Sequence, residues 1–355
     1  MPLPSVLLHD HLDGGLRADT VLELADEIGY DELPTLDPSA LGNWFDQSES
    51  GSLERYLQSF DHTIAVMQTQ SALTRVAKEA VHDLWDDGVV YAELRFSPPL
   101  HTMNGLGEHD VIEAVADGMR QASRETGLKW ALIIDALRDR QDSEAVARLA
   151  LAHRGDGVVG FDIAGPEKGF PPAEHIAAFR VAREGGLRLT IHAGESAGSM
   201  GIAYIKSAMD TCGAERIGHG NQIIEDCVVE DGRIVSVGPV ARLVLDRQMP
   251  LELCPSSNLA TGGVLPEQHP IGPLYRAGFN VTVSTDNRLM SATSMSAELD
   301  FARKFHGFDV SDIARVTRQS LEAAFCAREV KEGLWQDVLA PSFLSAGAAI
   351  HPGWS

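Results

Sequence analysis

Cysteine is scarce in this chain. The four that occur, Cys212, Cys227, Cys254 and Cys326, lie far apart with no C-x-x-C pair, which argues against a disulfide framework and against a thiolate zinc site and fits a reducing compartment. Basic residues are also in short supply. With 29 Lys and Arg against 51 Asp and Glu, the formal net charge is -22, a field that repels polyphosphates and anionic headgroups, so neither nucleic acid nor a membrane surface is expected as a partner. No apolar run is long enough to cross a bilayer. The short apolar segment near the start meets His9, Asp10 and His11 instead of a small-residue cleavage site, so a signal peptide is not expected and a cytoplasmic location is. Internal repeats, low-complexity tracts and a Pro/Gly/Ser-rich linker are absent as well, which leaves residues 1–355 as one expected domain.

What the sequence does contain is an alternation of strands and helices. Val6-Leu7-Leu8-His9-Asp10-His11 reads as a buried strand, and amphipathic helices follow at Thr20 to Ile28, Leu53 to Met67 and Ala72 to Trp85, with a Pro-punctuated loop through Pro34 and Pro38. From Val89 the rhythm is regular. Strands are expected at Val89 to Phe96, Trp130 to Leu137, Val158 to Ile163, Leu187 to His192, Arg216 to His219, Leu251 to Cys254 and Asn280 to Thr285, with a helix between neighbours. About eight parallel strands in such an alternation close a (β/α)8 TIM-type barrel. Two additions are expected: a hairpin at Val228 to Val237 around Asp231-Gly232, inserted after the sixth strand as a surface elaboration and candidate subunit contact, and a helical extension from Met295 to Leu344.

Active sites of these barrels sit at the C-terminal ends of the strands. Those ends carry His11, Gly165, His192 with Glu195, His219, and Asp286 with Asn287. His9 and His11 share a face of the first strand, since alternate side chains of a strand point the same way. Asp10 points the opposite way. A carboxylate ending a buried strand, as Asp286 does, needs a cation, and His9, His11, His192 and Asp286 form a nitrogen-rich set that suits Zn²⁺ with one position left for water. A lone histidine ending a strand can also be a hydrogen-bonded core residue; for His192, the turn through Ala193 and Gly194 toward Glu195 argues for a shared cavity instead. His219, flanked by Gly218 and Gly220, is either a fifth ligand or a catalytic neighbour, and four ligands plus water already satisfy zinc. Gly194 to Gly201 lacks the Gly-Lys-Ser/Thr ending of a phosphate loop. Ser256 and Ser257 lack the setting of a nucleophile, and the other histidines read mostly as surface or helix residues.

These motifs resemble a known family. His9-Asp10-His11-Leu12-Asp13-Gly14, His192-Ala193-Gly194-Glu195, Arg216-Ile217-Gly218-His219-Gly220, Cys254-Pro255-Ser256-Ser257-Asn258 and Ser284-Thr285-Asp286 are similar, in order and spacing, to the zinc-dependent adenosine deaminases of the amidohydrolase superfamily. The resemblance spans the first strand to the eighth, and Tyr91 to Pro98 looks like the second-strand segment of the adenosine-using members. It implies one zinc ion per chain on His9, His11, His192 and Asp286, and a purine nucleoside and water as the small-molecule partners. Glu195 would protonate purine N1; His219 would position the attacking hydroxide and accept its proton; Asp286 would count among the catalytic groups and His11 would also border the substrate. Gly165 would contact purine N3, and Asp13 a ribose hydroxyl, its charge disfavouring a 5′-phosphate. Tyr56, Leu57 and Phe60, with Leu53, look like a hydrophobic gate; the plainer reading is an apolar helix face packed on the barrel. Asn287 stands where the family usually has a second Asp, and its amide can donate to purine N7 without any change of protonation. Ser256 is small where a bulky residue is common, which predicts a roomier pocket wall. The expected reaction is hydrolytic deamination of adenosine and 2′-deoxyadenosine to inosine and ammonia. Adenine or a modified 6-aminopurine nucleoside is the alternative substrate, and a barrel that binds purine or metal without turnover, a secreted signalling deaminase and a metal-free barrel are the competing classes.

Overall fold

Eight parallel strands wrap into a barrel in the order in which they occur along the chain. The computed structural model describes residues 2–196, 198–262 and 264–350. The barrel strands are β1 (Ser5–His11), β2 (Val89–Phe96), β3 (Lys129–Leu137), β4 (Val158–Ala164), β5 (Arg188–Ala193) and β6 (Arg216–His219). A two-stranded hairpin of β7 (Cys227–Glu230) and β8 (Arg233–Val237) intervenes, and β9 (Leu251–Leu253) and β10 (Val281–Val283) complete the ring. Closure is made by main chain at the site end: His11 N–H donates to Asp286 O at 2.7 Å and Asp286 N–H to His9 O at 2.9 Å. His11 at the end of β1 and Asp286 just beyond β10 are thereby fixed beside each other.

The hairpin forms where Asp231-Gly232 predicts it, and both residues take positive φ (48° and 70°), as a twist-matched two-residue turn requires. Its valines Val228, Val229 and Val235 are exposed. The expected loop around Pro38 is instead a helix, Pro38–Phe45; Asp37 caps it by accepting from Ala40 N–H at 2.8 Å, and Pro38 occupies the first turn, where its missing N–H costs nothing. Leu53 to Met67 is two short helices, Leu53–Leu57 and Phe60–Val66. A further unexpected helix, Pro255–Gly262, starts directly after Cys254. Helices Gln70–Asp86 and Glu108–Thr126 pack so closely that a Cβ on Gly118 would lie 2.2 Å from Thr74 O, so only glycine fits that crossing.

Barrel interiors are commonly filled by branched aliphatic layers. This one is filled with charge. Alternation along Tyr91-Ala92-Glu93-Leu94-Arg95-Phe96 places Glu93 and Arg95 inside, where they meet Asp162, Arg216 and Glu252, all buried. Arg95 donates to Asp162 at 2.6 Å, to Glu252 at 2.9 Å and to Leu8 O at 2.6 Å, while Arg216 reaches Glu93 at 2.6 Å and Glu252 at 2.5 Å. Buried charges survive in such a place only when paired and hydrogen-bonded. Here they form the bed on which the site is laid.

Candidate metal and catalytic site

Three imidazoles and one carboxylate converge at the top of that bed. His9 Nε2 and His11 Nε2 lie 3.3 and 3.4 Å from Asp286 Oδ1, and His11 Nε2 lies 3.3 Å from His192 Nε2. One ligand atom from each of His9, His11, His192 and Asp286 lies within 4.8 Å of the others. The opposite nitrogens are held from behind: His9 Nδ1 by Glu252 at 2.9 Å and His192 Nδ1 by Asp162 at 2.7 Å, with Asp135 Oδ2 at 3.4 Å from His11 Nδ1. For His9 and His192 the carboxylate at Nδ1 fixes the proton there and turns the Nε2 lone pair toward one point, the arrangement that metal-binding histidines adopt. His9 Nε2 is buried and has no hydrogen-bond partner among the described residues. The donor set therefore fits a cation of nitrogen preference.

Two of the three carboxyls behind the histidines, Glu252 and Asp162, are held in the ionised form, whereas burial and the nearby charge of Asp162 push Asp135 well above the usual range. Burial alone would raise Glu252, but Arg95 and Arg216 beside it hold its carboxyl well below the usual range. Asp162 is likewise raised by burial and brought down to about 2 by His192 and Arg95. Glu195 is the opposite case: burial first, then the charges of Asp286 and Glu167, push its carboxyl well above the usual range and so favour the protonated acid.

Glu195 is set in place by Glu167, whose carboxylate accepts from the main-chain N–H groups of Gly194, Glu195 and Ser196 at 2.5, 3.0 and 2.8 Å. Its Oε2 stands 3.8 Å from His219 Nε2, which is 4.0 Å from Asp286 Oδ2. Both His219 and Asp286 have left-handed backbone, at φ of 58° and 60°. Such conformations are uncommon outside glycine and persist only where surrounding contacts over-determine them. Ser257 supplies one such contact, donating to Asp286 Oδ2 at 2.6 Å.

A cavity of about 310 Å³ opens above these groups. Every residue expected at the site lines it except His9, which is buried underneath: His11, Asp13, Gly165, His192, Glu195, His219, Asp286 and Asn287 form its floor and walls, and Tyr56, Leu57 and Phe60 its roof. Asn287 can approach because residue 14 is glycine, where a Cβ would lie 2.1 Å from Asn287 Oδ1. Tyr56 is tied down by a 2.7 Å hydrogen bond between its hydroxyl and Ser291. Asp10 faces away, as alternation requires, and accepts from Thr285 at 2.6 Å and Arg288 at 3.0 Å.

Three expectations are corrected. Ser256 is not on the cavity wall; its N–H donates to Glu298 at 3.1 Å on the far side of helix Pro255–Gly262, so its small size does not widen the pocket. Ser257, set aside with it, supports Asp286. Among the other histidines, His153 and His269 are neither helical nor at the surface but buried, while His351 lies outside the described residues. Sequence reasoning assigned nothing to Glu252, Asp162, Asp135, Glu167 or Arg95. The available signal was charge inside apolar strands, as in Leu251-Glu252-Leu253, because a charge there must have a partner.

Fold and site together define a (β/α)8 barrel of the hydrolase type, with a cluster that could hold a metal ion at the C-terminal strand ends. Residues 4–341 match the family model described as adenosine deaminase. The chain is 47% identical over 347 residues to an adenosine deaminase of Mycobacterium marinum, covering 96% of this chain and 95% of that one. It is 46% identical to an adenosine deaminase 1 of Streptomyces coelicolor, covering 96% and 87%. The crystal structure of an adenine deaminase from Arthrobacter aurescens superposes with a TM-score of 0.85 at 26% identity over 98% of this chain and 100% of that one. The chain belongs to the adenosine deaminase family.

Proposed function

We propose that this chain is a zinc enzyme that hydrolyses the 6-amino group of adenosine and 2′-deoxyadenosine, releasing ammonia and the 6-oxo product. The observation that carries the reading is the pairing of two environments in one cavity: a cluster of Nε2 atoms with Asp286, and a buried Glu195 beside it whose carboxyl is pushed up by burial. His9, His11, His192 and Asp286 would hold one zinc ion, which when bound supplies a Lewis acid that lowers the pKa of water toward neutrality.

Purine chemistry then follows from the chain's own groups. Glu195 donates its proton to N1, which draws electron density from C6 and makes that carbon electrophilic. His219, with Nε2 facing Glu195 and Asp286, hydrogen-bonds the water that adds to C6. Asn287 and the Gly165 main chain orient the ring from two sides, Asp13 takes a sugar hydroxyl, and Tyr56, Leu57 and Phe60 cover the base and limit access of bulk water. Four free, scattered cysteines support a reducing compartment, and we infer a cytoplasmic setting from them.

The second reading, a 6-aminopurine other than adenosine, draws on the adenine deaminase structure; the relatives at 46 and 47% identity over 96% of the chain favour adenosine. Metal content of protein purified without added metal, together with ammonia release from adenosine, adenine and AMP, tests both. Zinc near one equivalent and preference for adenosine is the expected result; preference for adenine moves the substrate, and metal-free protein that turns over adenosine overturns the zinc reading.

A further inference from the structure

Behind His219, on the side away from the cavity, a chain of polar contacts ends on main chain. Ile271 N–H donates to His269 Nδ1 at 3.2 Å. A backbone amide can only donate, so Nδ1 is the unprotonated nitrogen of that ring and Nε2 carries the hydrogen. Burial keeps His269 neutral, its pKa pushed down to about 3. His269 Nε2–H therefore donates to Asn258 Oδ1, 3.2 Å away. A second main-chain donor, Cys254 N–H, points at the same oxygen at 3.3 Å. Two amides anchored elsewhere in the fold thus agree on which atom of the Asn258 side chain is oxygen, a choice that otherwise has to be made from the network.

The other atom, Nδ2, meets His219 Nδ1 at 3.0 Å. An amide nitrogen only donates, so His219 Nδ1 must accept. Neutral His219 then bears its hydrogen on Nε2, the atom 3.8 Å from Glu195 Oε2 and 4.0 Å from Asp286 Oδ2. His219, Asn258 and His269 are all buried, which leaves little room for water to replace any link.

We propose that Asn258 and His269 are positioning residues that lock His219 in its Nε2–H tautomer, so that it meets the oxygen adding to the purine as a hydrogen-bond donor and not as its base. This rests on the deaminase reading of the site. Glu195 then handles the protons alone. Once it has given its own proton to N1, its carboxylate takes one from the water as the water's O–H bond breaks and the C6–O bond forms. That proton passes to the amino nitrogen as the C6–N bond breaks, and Glu195 recovers the hydroxyl proton as the 6-oxo group forms. Ammonia leaves, and no proton is gained or lost by the site.

The test is a long-range proton–nitrogen spectrum of ¹⁵N-histidine-labelled, metal-loaded enzyme, with His219 assigned by its disappearance in His219→Gln. The expected pattern is an unprotonated Nδ1 and a protonated Nε2; the reverse overturns the proposal. Because the spectrum needs no turnover, it stands even where adenosine proves not to be the substrate. Asn258→Asp puts an acceptor opposite Nδ1, and should reverse the tautomer and lower kcat ~100-fold with KM for adenosine within ~3-fold, since a mis-set catalytic tautomer has cost ~10⁴-fold elsewhere. A reversed tautomer with full kcat refutes the catalytic part. Should Asn258→Asp fail to fold, the pair His269→Leu and His269→Gln decides: loss of the donor in the first should mix the tautomers and lower kcat ~10-fold, and the amide donor of the second should restore most of it. Equal spectra and equal kcat in that pair would mean that His269 only fills space.

Discussion

The floor and the roof of the cavity are built on opposite principles. In the floor the ligand histidines and the carboxylates behind them are tied into one ion-paired unit: His9 rests on Glu252, His192 on Asp162, and both carboxylates on Arg95, all buried. The roof is two short helices, Leu53–Leu57 and Phe60–Val66, joined at Gln58 and Ser59, with Leu57 and Phe60 only half-buried. Chemistry needs fixed distances, and an ion-paired bed in a low-dielectric interior enforces them. Admission of a ligand needs a cover that can part, and few-contact segments are the low-stability end of a fold. Rigidity and access are thus divided between the barrel and an appendage.

That division can be broken from either side. The largest effect is expected from Glu195→Gln, which keeps the shape but removes the proton that N1 requires: kcat should fall up to ~10⁴-fold, about 5 kcal/mol of barrier, with zinc content and melting temperature unchanged. Retained turnover would sink the role given to Glu195. Next comes Arg95→Leu, which strips Asp162 and Glu252 of their shared cation; urea unfolding should register a loss of about 3–5 kcal/mol. A loss under about 1 kcal/mol would mean that the floor is held by apolar packing.

Glu298, a buried carboxyl outside the cavity lining, sharpens the contrast. It is buried like Glu252, but among the described residues no Lys or Arg pairs with it; it accepts from Thr293 at 2.6 Å and from Ser256 N–H at 3.1 Å, and burial pushes its carboxyl up to about 7. A folded-state pKa above the unfolded 4.5 means that the native state binds the proton more tightly. The stability contributed is then present at low pH and is lost as pH rises through about 7. Glu298→Gln should flatten that fall, gaining up to about 3 kcal/mol over wild type at pH 8 and none at pH 4, read by denaturant titration across the range. Parallel curves for the two proteins would contradict the raised value. The smallest effect is expected in the roof. Phe60→Ala should raise KM for adenosine ~10-fold, about 1.4 kcal/mol, with kcat and unfolding free energy little changed, because it removes apolar contact with the base and nothing beneath it. A fall in kcat instead would tie the roof to the chemistry.

The legible parts of the chain follow from local rules. The strand at Val89–Phe96 and the hairpin at Asp231-Gly232 could be read because β-rich runs end at turn residues. Pro38–Phe45 and Pro255–Gly262 were not, because a proline that opens a helix looks the same on paper as one that punctuates a loop. His9, His11, His192 and Asp286 could be named from position alone, since strand ends of a barrel share one face. Glu252 and Asp162 could not be given partners, because the residues that justify them lie 243 and 30 positions away.

What the sequence by itself determined, then, is periodicity, strand count and the residue types delivered to the barrel's mouth, because these depend on side-chain alternation and on turns a few residues long. The tertiary structure alone decided which nitrogen of each histidine faces the cavity. That choice belongs to Glu252, Asp162 and Asn258, which approach His9, His192 and His219 from other strands and helices. A hydrogen bond is settled by distance and direction in space, and the spacing of residues along a chain carries neither.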